Sequence, residues 1–155
     1  MRTKNKSSFT TLRKAFIYDN GTVKSKFFGY YAALPLTEAV TKEVIEGYLT
    51  GINIDHRHLV AYNEKPYSIY IGGIAGNNEL SKGYLMVHLK NKLIKAKQDG
   101  VAYALARGAT EIGKKRLEEY GFIRIRNDDN IPLYKLDLQD RKYSDEELTN
   151  VQRFL

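Results

Sequence analysis

At 155 residues, 43% hydrophobic and 28% charged, the chain has the size and composition of a single globular domain rather than of a disordered segment. It contains no cysteine, which excludes disulfides, cysteine-based zinc sites and thiol nucleophiles and suits a reducing cytoplasm. The 25 Lys/Arg against 18 Asp/Glu give a net charge of +7, suited to an anionic partner, and no apolar run reaches the roughly 20 residues of a membrane helix.

Residues 1–10 are basic and polar and read as a loose tail, without the apolar stretch of a signal peptide. Leu12 to Tyr18 is rich in β-favouring residues. Asn20-Gly21 then offers a two-residue type I′ turn into a second strand, Lys26 to Leu34, with Gly29 as a bulge and Pro35 as its end. From Thr37 the pattern is helical: Val40, Val44, Ile45 and Tyr48 share one face, Thr37 is placed to cap the start, and Gly51 is the stop. Two strands follow at His58–Asn63 and Tyr67–Ala75, around the turn Asn63-Glu64-Lys65-Pro66. The second is an almost unbroken apolar run, as expected of a strand inside a sheet.

The loop GNNELSKG leads into a helix over Lys82–Gln98. Leu85, Leu89, Leu93 and Ala96 form its apolar stripe, Lys90, Asn91, Lys95 and Lys97 face outward, and Gly100 closes it. Val101–Ala106 reads as a buried strand and Glu111–Tyr120 as a short helix ending at Gly121. Phe122–Arg126 and Ile131–Leu138 are the last strands, joined by the polar turn NDDN. The tail over residues 139–155 carries Ser144 and Glu147 in a capping-box spacing that predicts a short helix. Tyr67–Ala75, the long helix and Val101–Ala106 make a βαβ unit, so those two strands are expected to be parallel. The fold class expected is α+β, a central mixed sheet with flanking helices in one domain over residues 1–155.

Asp55, His56 and His58 stand close together, but two histidines without a third ligand do not make a metal site, and none is expected. His88 borders the apolar stripe and reads as a boundary residue. The tyrosines of YSIY and FFGYY read as core and rim residues.

The order strand, loop, long helix, strand, short helix, Gly-Phe, strand, strand resembles the core of the GNAT N-acyltransferase superfamily over about residues 58–138. The most specific stretch is VAYALARGATEIGKKRLEEYGF, where Thr110 opens a helix and Gly121-Phe122 follows eleven residues later. The resemblance implies acetyl-CoA or another acyl-CoA as co-substrate. Its pyrophosphate would meet the amides of Ser81, Lys82, Gly83, Tyr84 and Leu85, with Ser81 as helix cap. Its pantetheine would pair like an extra strand with Ile74, Ala75 and Gly76, with Thr110 and Gly113 near that arm. The strand carrying Ile74 would splay from Val101–Ala106 to admit the thioester.

The phosphate-loop pattern of the family, aligned on Gly83, finds Leu80 and Leu85 at its other two positions. The tyrosine that often serves as general acid falls on Leu117, and Tyr120 is rotated away from that position. Tyr67–Ala75 has no carboxylate to act as base, so no catalytic residue is named. The function expected is transfer of an acetyl or other acyl group from acyl-CoA to an amine of a small molecule, a protein or an aminoacyl-tRNA, in a chain that can form a homodimer. Two other readings stay open: a GNAT-like ligand-sensing or interaction module without catalysis, and a basic nucleic-acid-binding protein.

Overall fold

The computed structural model describes residues 9–128 and 131–140. Six strands and three helices follow in the order β1 (Phe9–Ile17), β2 (Val23–Leu36), α1 (Glu38–Glu46), β3 (Ser68–Gly76), α2 (Glu79–Gln98), β4 (Tyr103–Arg107), α3 (Glu111–Glu119), β5 (Ile123–Asp128) and β6 (Ile131–Asp137). The strands form one sheet in the order β1-β2-β3-β4-β6-β5, antiparallel throughout except for the parallel β3–β4 pair. The fold is α+β with a mixed sheet, and α2 makes the crossover between its two parallel strands.

Alternation along the strands divides the core in two. Ile69, Ile71, Ala104, Ala106, Tyr134 and Leu136 face α2, packing with Leu85, Leu89 and Ala96. Tyr70, Leu105 and Leu133 point to the opposite face, where Val40 and Val44 of α1 meet Leu36, Ile54 and Leu59. The helices therefore cover the sheet on both sides.

Several expected boundaries move. Phe9 and Thr10 belong to β1 rather than to a tail. The hairpin loop has three residues, not two: the Gly21 amide donates to the Tyr18 carbonyl at 2.8 Å and the Tyr18 amide to Thr22 at 3.0 Å. Asn20 Oδ1 accepts the Thr22 amide at 3.0 Å, which favours this loop over the tighter turn. The bulge falls on Phe28, since Leu12 pairs with Gly29 and Arg13 with Phe27. Pro35 does not end β2. Among the described residues pairing with β1 stops at Ala32, so the nitrogen of Pro35 interrupts no ladder bond between described strands.

Helix α1 stops at Gly47 (φ 85°), four residues before Gly51, and leaves Tyr48 81% exposed instead of on the buried face. The left-handed cap at Gly47 sends the chain away, and the guanidinium of Arg126 fills the space a side chain there would need. His58–Asn63 is not a strand. A 3₁₀ turn occupies His56–His58, where Asp55 accepts the Arg57 amide at 2.8 Å and its own amide donates to His58 Nδ1 at 3.0 Å. Leu59 and Val60 are buried all the same, with only a single bridge from Leu59 to Leu36. Asn127 and Asp128 extend β5, and the helix expected from Ser144 lies outside the described residues.

Candidate functional site

Because β3 and β4 are parallel, their C-terminal ends share one edge of the sheet, and the helices that follow them both begin there. Ligands of open sheets bind outside such strand ends. The β3–β4 ladder has four pairs, from Ser68↔Tyr103 to Ile71↔Ala106, and then stops, while β3 continues to Gly76 still paired with β2. Ala32 pairs with Gly73 and Ala33 with Ile71, so Gly72 is an unpaired bulge at the point where the ladder ends. A bulge bends its strand and raises its twist. Gly73 has φ 158°, a region that side chains avoid. Gly72 to Gly76 thus present to the opening an edge without a β-ladder partner. Ser68 to Ile71 are buried as expected of an inner strand, but Gly72, Ile74 and Ala75 are exposed, contrary to the buried run read from the sequence.

Helix α2 begins three residues earlier than expected. Asn78, not Ser81, is the cap: its Oδ1 accepts the Ser81 amide at 2.8 Å. The Lys82 amide donates to the Asn78 carbonyl at 3.1 Å, and Gly83, Tyr84 and Leu85 lie within the helix, where their amides bond one turn back. The amides expected to hold a pyrophosphate, from Ser81 to Leu85, are therefore already engaged. Those without an intrahelical acceptor are Glu79 and Leu80. The side chains divide likewise. Ser81 and Leu85 are buried, Leu85 in the core against Leu89 and Ile71, whereas Lys82, Gly83 and Tyr84 are exposed. Gly76 allows the first turn of α2 to come close: a Cβ there would lie 3.0 Å from the Lys82 amide nitrogen. Around Gly83 a Cβ would meet nothing within 4 Å.

Thr110 caps α3 as expected, its hydroxyl accepting the Gly113 amide at 3.0 Å, so Glu111 and Ile112 hold the first two amides of that helix. Both helices carry a carboxylate at the first position and a lysine three residues on. Lys82 binds Glu79 at 2.7 Å and Lys114 binds Glu111 at 2.7 Å. These lysines hold the two carboxyls below the usual range, and Arg116 of α3 adds to the pull on Glu79 across the opening. An anion at the start of α2 has to displace Glu79 from Lys82.

No acid–base group reaches the opening from the positions where one was sought. Leu117 packs against the core beside Tyr120. Sequence reasoning missed one hydroxyl–carboxylate pair nearby. Tyr134, paired with Ala106 where the ladder ends, donates to Glu118 at 3.1 Å. Burial raises the Tyr134 pKa and the ring is fully enclosed, while Glu118 is exposed, and the pair braces α3 on the sheet. Packing of α3 on the sheet beside β6 brings these two residues together, and such packing leaves no local pattern.

A separate shallow cavity of about 390 Å³ lies between β1–β2 and α2, lined by Thr10, Tyr31, His88, Asn91, Lys92 and Lys95. His88 is more than a boundary residue here: its Nδ1 and the Tyr31 hydroxyl share a hydrogen bond of 2.8 Å. Burial raises the Tyr31 pKa and lowers that of Lys92. Among the described residues no group of three or more His, Cys, Asp or Glu side chains is placed to hold a metal ion. No helix among them is long and apolar enough to cross a membrane.

The fold and its opening define an α+β domain with a ligand-accessible edge at the ends of two parallel strands. No protein-family model and no curated protein matches the chain. Solved structures with a similar backbone path include a crystal structure of a mutant of KacT, at TM-score 0.46 and 14% identity, covering 95% of this chain and 74% of that one. A domain from Methanocaldococcus jannaschii aligns at TM-score 0.43 and 15% identity, covering 84% of this chain and 67% of that one. Likeness at this level bears on neither activity nor ligand.

Proposed function

We propose that the chain is an acyl-CoA-dependent N-acyltransferase of the GNAT type, working at the opening between β3 and β4. The observation that carries this reading is the ladder that ends at Ile71↔Ala106 while β3 runs on to Gly76 beside two helix N-termini. A pantetheine arm has the amide groups to pair with the edge at Ile74, Ala75 and Gly76. The pyrophosphate fits the first turn of α2, where the Glu79 and Leu80 amides, Lys82 and the open face of Gly83 lie together. Thr110 fixes the start of α3 on the other side by accepting the Gly113 amide, which leaves the Thr110 O–H, but not the Gly113 amide, as a donor.

The chain's contribution to acyl transfer is positioning. The extended edge orients the thioester and polarises its carbonyl for attack by a neutral amine, and effects of this kind account for many powers of ten in rate. As the C–S bond breaks, the amine proton passes through water to the departing coenzyme A thiolate, since β3 carries no carboxylate and, among the described residues at the opening, Glu79 and Glu111 are held by Lys82 and Lys114. The acceptor amine enters over the region before β3.

A thermal-shift titration with acetyl-CoA and longer acyl-CoAs tests the reading, because ligand at 100 times its dissociation constant adds about 2.7 kcal/mol. No shift at millimolar acyl-CoA would sink it. A second reading, binding without catalysis, is favoured by the packing of Leu117 in the core and by the lack of a carboxylate on β3. Binding with no thiol release over a panel of amines would select it.

A further inference from the structure

Pairing between β2 and β3 ends at Gly29↔Gly76, but β1 and β2 continue as a two-stranded ribbon through five more pairs, Arg13↔Phe27 to Ile17↔Val23. Residues 13–27 are all exposed. Isolated two-stranded ribbons are marginal in water. This one is held at its base by Asn77, whose amide donates to the Phe28 carbonyl and whose Nδ2 donates to Phe27, each at 2.9 Å.

One face of the ribbon has a distinct chemistry. Leu12 packs toward α2, so alternation places Lys14 and Phe16 on the same side. Lys26 lies directly opposite Lys14, and Lys24 opposite Phe16. The three lysines sit over aromatic rings: Lys14 over Phe16 at 5.6 Å, Lys24 over Tyr18 at 5.7 Å and Lys26 over Phe28 at 5.8 Å. Residues 9–28 carry four cations and one acid, Asp19.

Like charges directly opposite each other destabilise a ribbon, so the Lys14–Lys26 pair works against the fold that carries it. Lysines on an outer strand do guard against edge-to-edge aggregation. That role suits lysines on either strand of the ribbon, since both strands are edges beyond Gly29, but it does not account for the exposed rings beside them. Alternating cations and exposed rings match a chain of phosphates and unstacked bases. Lys24 and Lys26, two residues apart on one strand, are separated by about 6.7 Å, close to the step between phosphates of an extended polynucleotide.

We propose that this face of the β1–β2 ribbon binds a single-stranded polynucleotide, with Lys14, Lys24 and Lys26 on its phosphates and Phe16 and Tyr18 stacking on its bases. Stacking on exposed rings favours a single strand, whose bases are free, over a duplex. The inference shares no residue with the acyl-CoA reading and stands or falls apart from it.

The test is fluorescence anisotropy of fluorescein-labelled 16-nucleotide oligo(U) and oligo(dT) with the full chain across a salt series. Each phosphate contact contributes a slope of about 0.7 in log affinity against log salt for single strands. The K14Q/K24Q/K26Q variant should therefore lower the slope by about 2, while F16A/Y18A should weaken binding by tenfold or more with the slope unchanged. K42Q/K95Q/K115Q, which removes the same charge from exposed sites elsewhere, should leave the slope near wild type. Melting curves check each variant, and K24Q alone, with an expected slope change of about 0.7, replaces the triple variant if that fails to fold. An equal slope loss in both triple variants would make the binding a property of total charge and overturn the proposal. So would tighter binding to a duplex of the same length, or binding to phosphatidylserine vesicles through these lysines without binding to the oligonucleotides.

Discussion

Gly83→Ala separates stability from ligand binding at one atom. Gly83 is the fifth residue of α2, exposed, with nothing within 4 Å of an added Cβ. Replacing glycine by alanine inside a helix gains about 1 kcal/mol. For a chain of this size that is roughly 2–4 °C in melting temperature. The same methyl stands on the helix face shared with Glu79 and Lys82, where the proposed pyrophosphate lies. A tenfold loss of affinity would reduce the stabilisation by acetyl-CoA, at 100 times the wild-type dissociation constant, from about 2.7 to about 1.4 kcal/mol. The variant should thus melt higher than wild type without ligand and gain less from it. Thermal shift with and without acetyl-CoA reads both quantities, and isothermal titration gives the affinity directly. A variant that melts higher and keeps the whole ligand increment would show that this face of α2 does not carry the phosphates. Gly83→Asp should lose more affinity still, since it places a carboxylate against them.

Asn78→Ala removes the cap of α2 and should cost about 0.5–2 kcal/mol in urea unfolding, while Ser81→Ala, no longer expected to be the cap, should not cost stability through capping. Leu105→Ala, at a fully buried position on the α1 side, should cost about 2–5 kcal/mol. Lys92 gives a pH test. Burial lowers its folded pKa, so between that value and the ordinary lysine value of about 10.4 the unfolded chain binds more protons and stability rises with pH. Lys92→Met should remove that rise, as measured by urea midpoints from pH 7 to 11. Tyr120→Phe should leave thiol release from acetyl-CoA unchanged, because Tyr120 packs against the core at the end of α3. A hundredfold loss with binding intact would make its hydroxyl the general acid.

The features legible in the sequence are those written in periodicity. The stripe Leu85, Leu89 and Ala96 fixes the buried face of α2, and Thr110 with Gly121 brackets α3, because each signal is local to its helix. Sequence and structure part where several local signals compete and a distant contact decides. Asn77, Asn78 and Ser81 are all capping residues in one loop. Asn77 is tied to β2 through Phe27 and Phe28, which leaves Asn78 at the helix start. Gly47 and Gly51 are both stop signals, and the choice of Gly47 is accompanied by Arg126 from β5, which donates to the Glu46 carbonyl eighty residues away. Leu59 and Val60 look like strand residues because they are apolar, yet the Asp55–His58 capping box closes a turn first. At the candidate site Gly72 and Gly73 stand side by side in the sequence, but the bulge at Gly72 exists only in the register between β2 and β3.

The sheet consists of two antiparallel triplets, β1-β2-β3 and β4-β6-β5, joined edge to edge by the four pairs of the β3–β4 ladder. Both halves of the core pack across this seam, and amide hydrogen exchange is the readout of whether it opens before either triplet does. In that case amides within each triplet would exchange more slowly than those at Ser68–Ile71 and Tyr103–Ala106. A ligand strand lying along the edge beyond Ile71 prolongs the join past its natural end. Its binding would therefore be felt first as slower exchange along the whole seam, in residues it never touches.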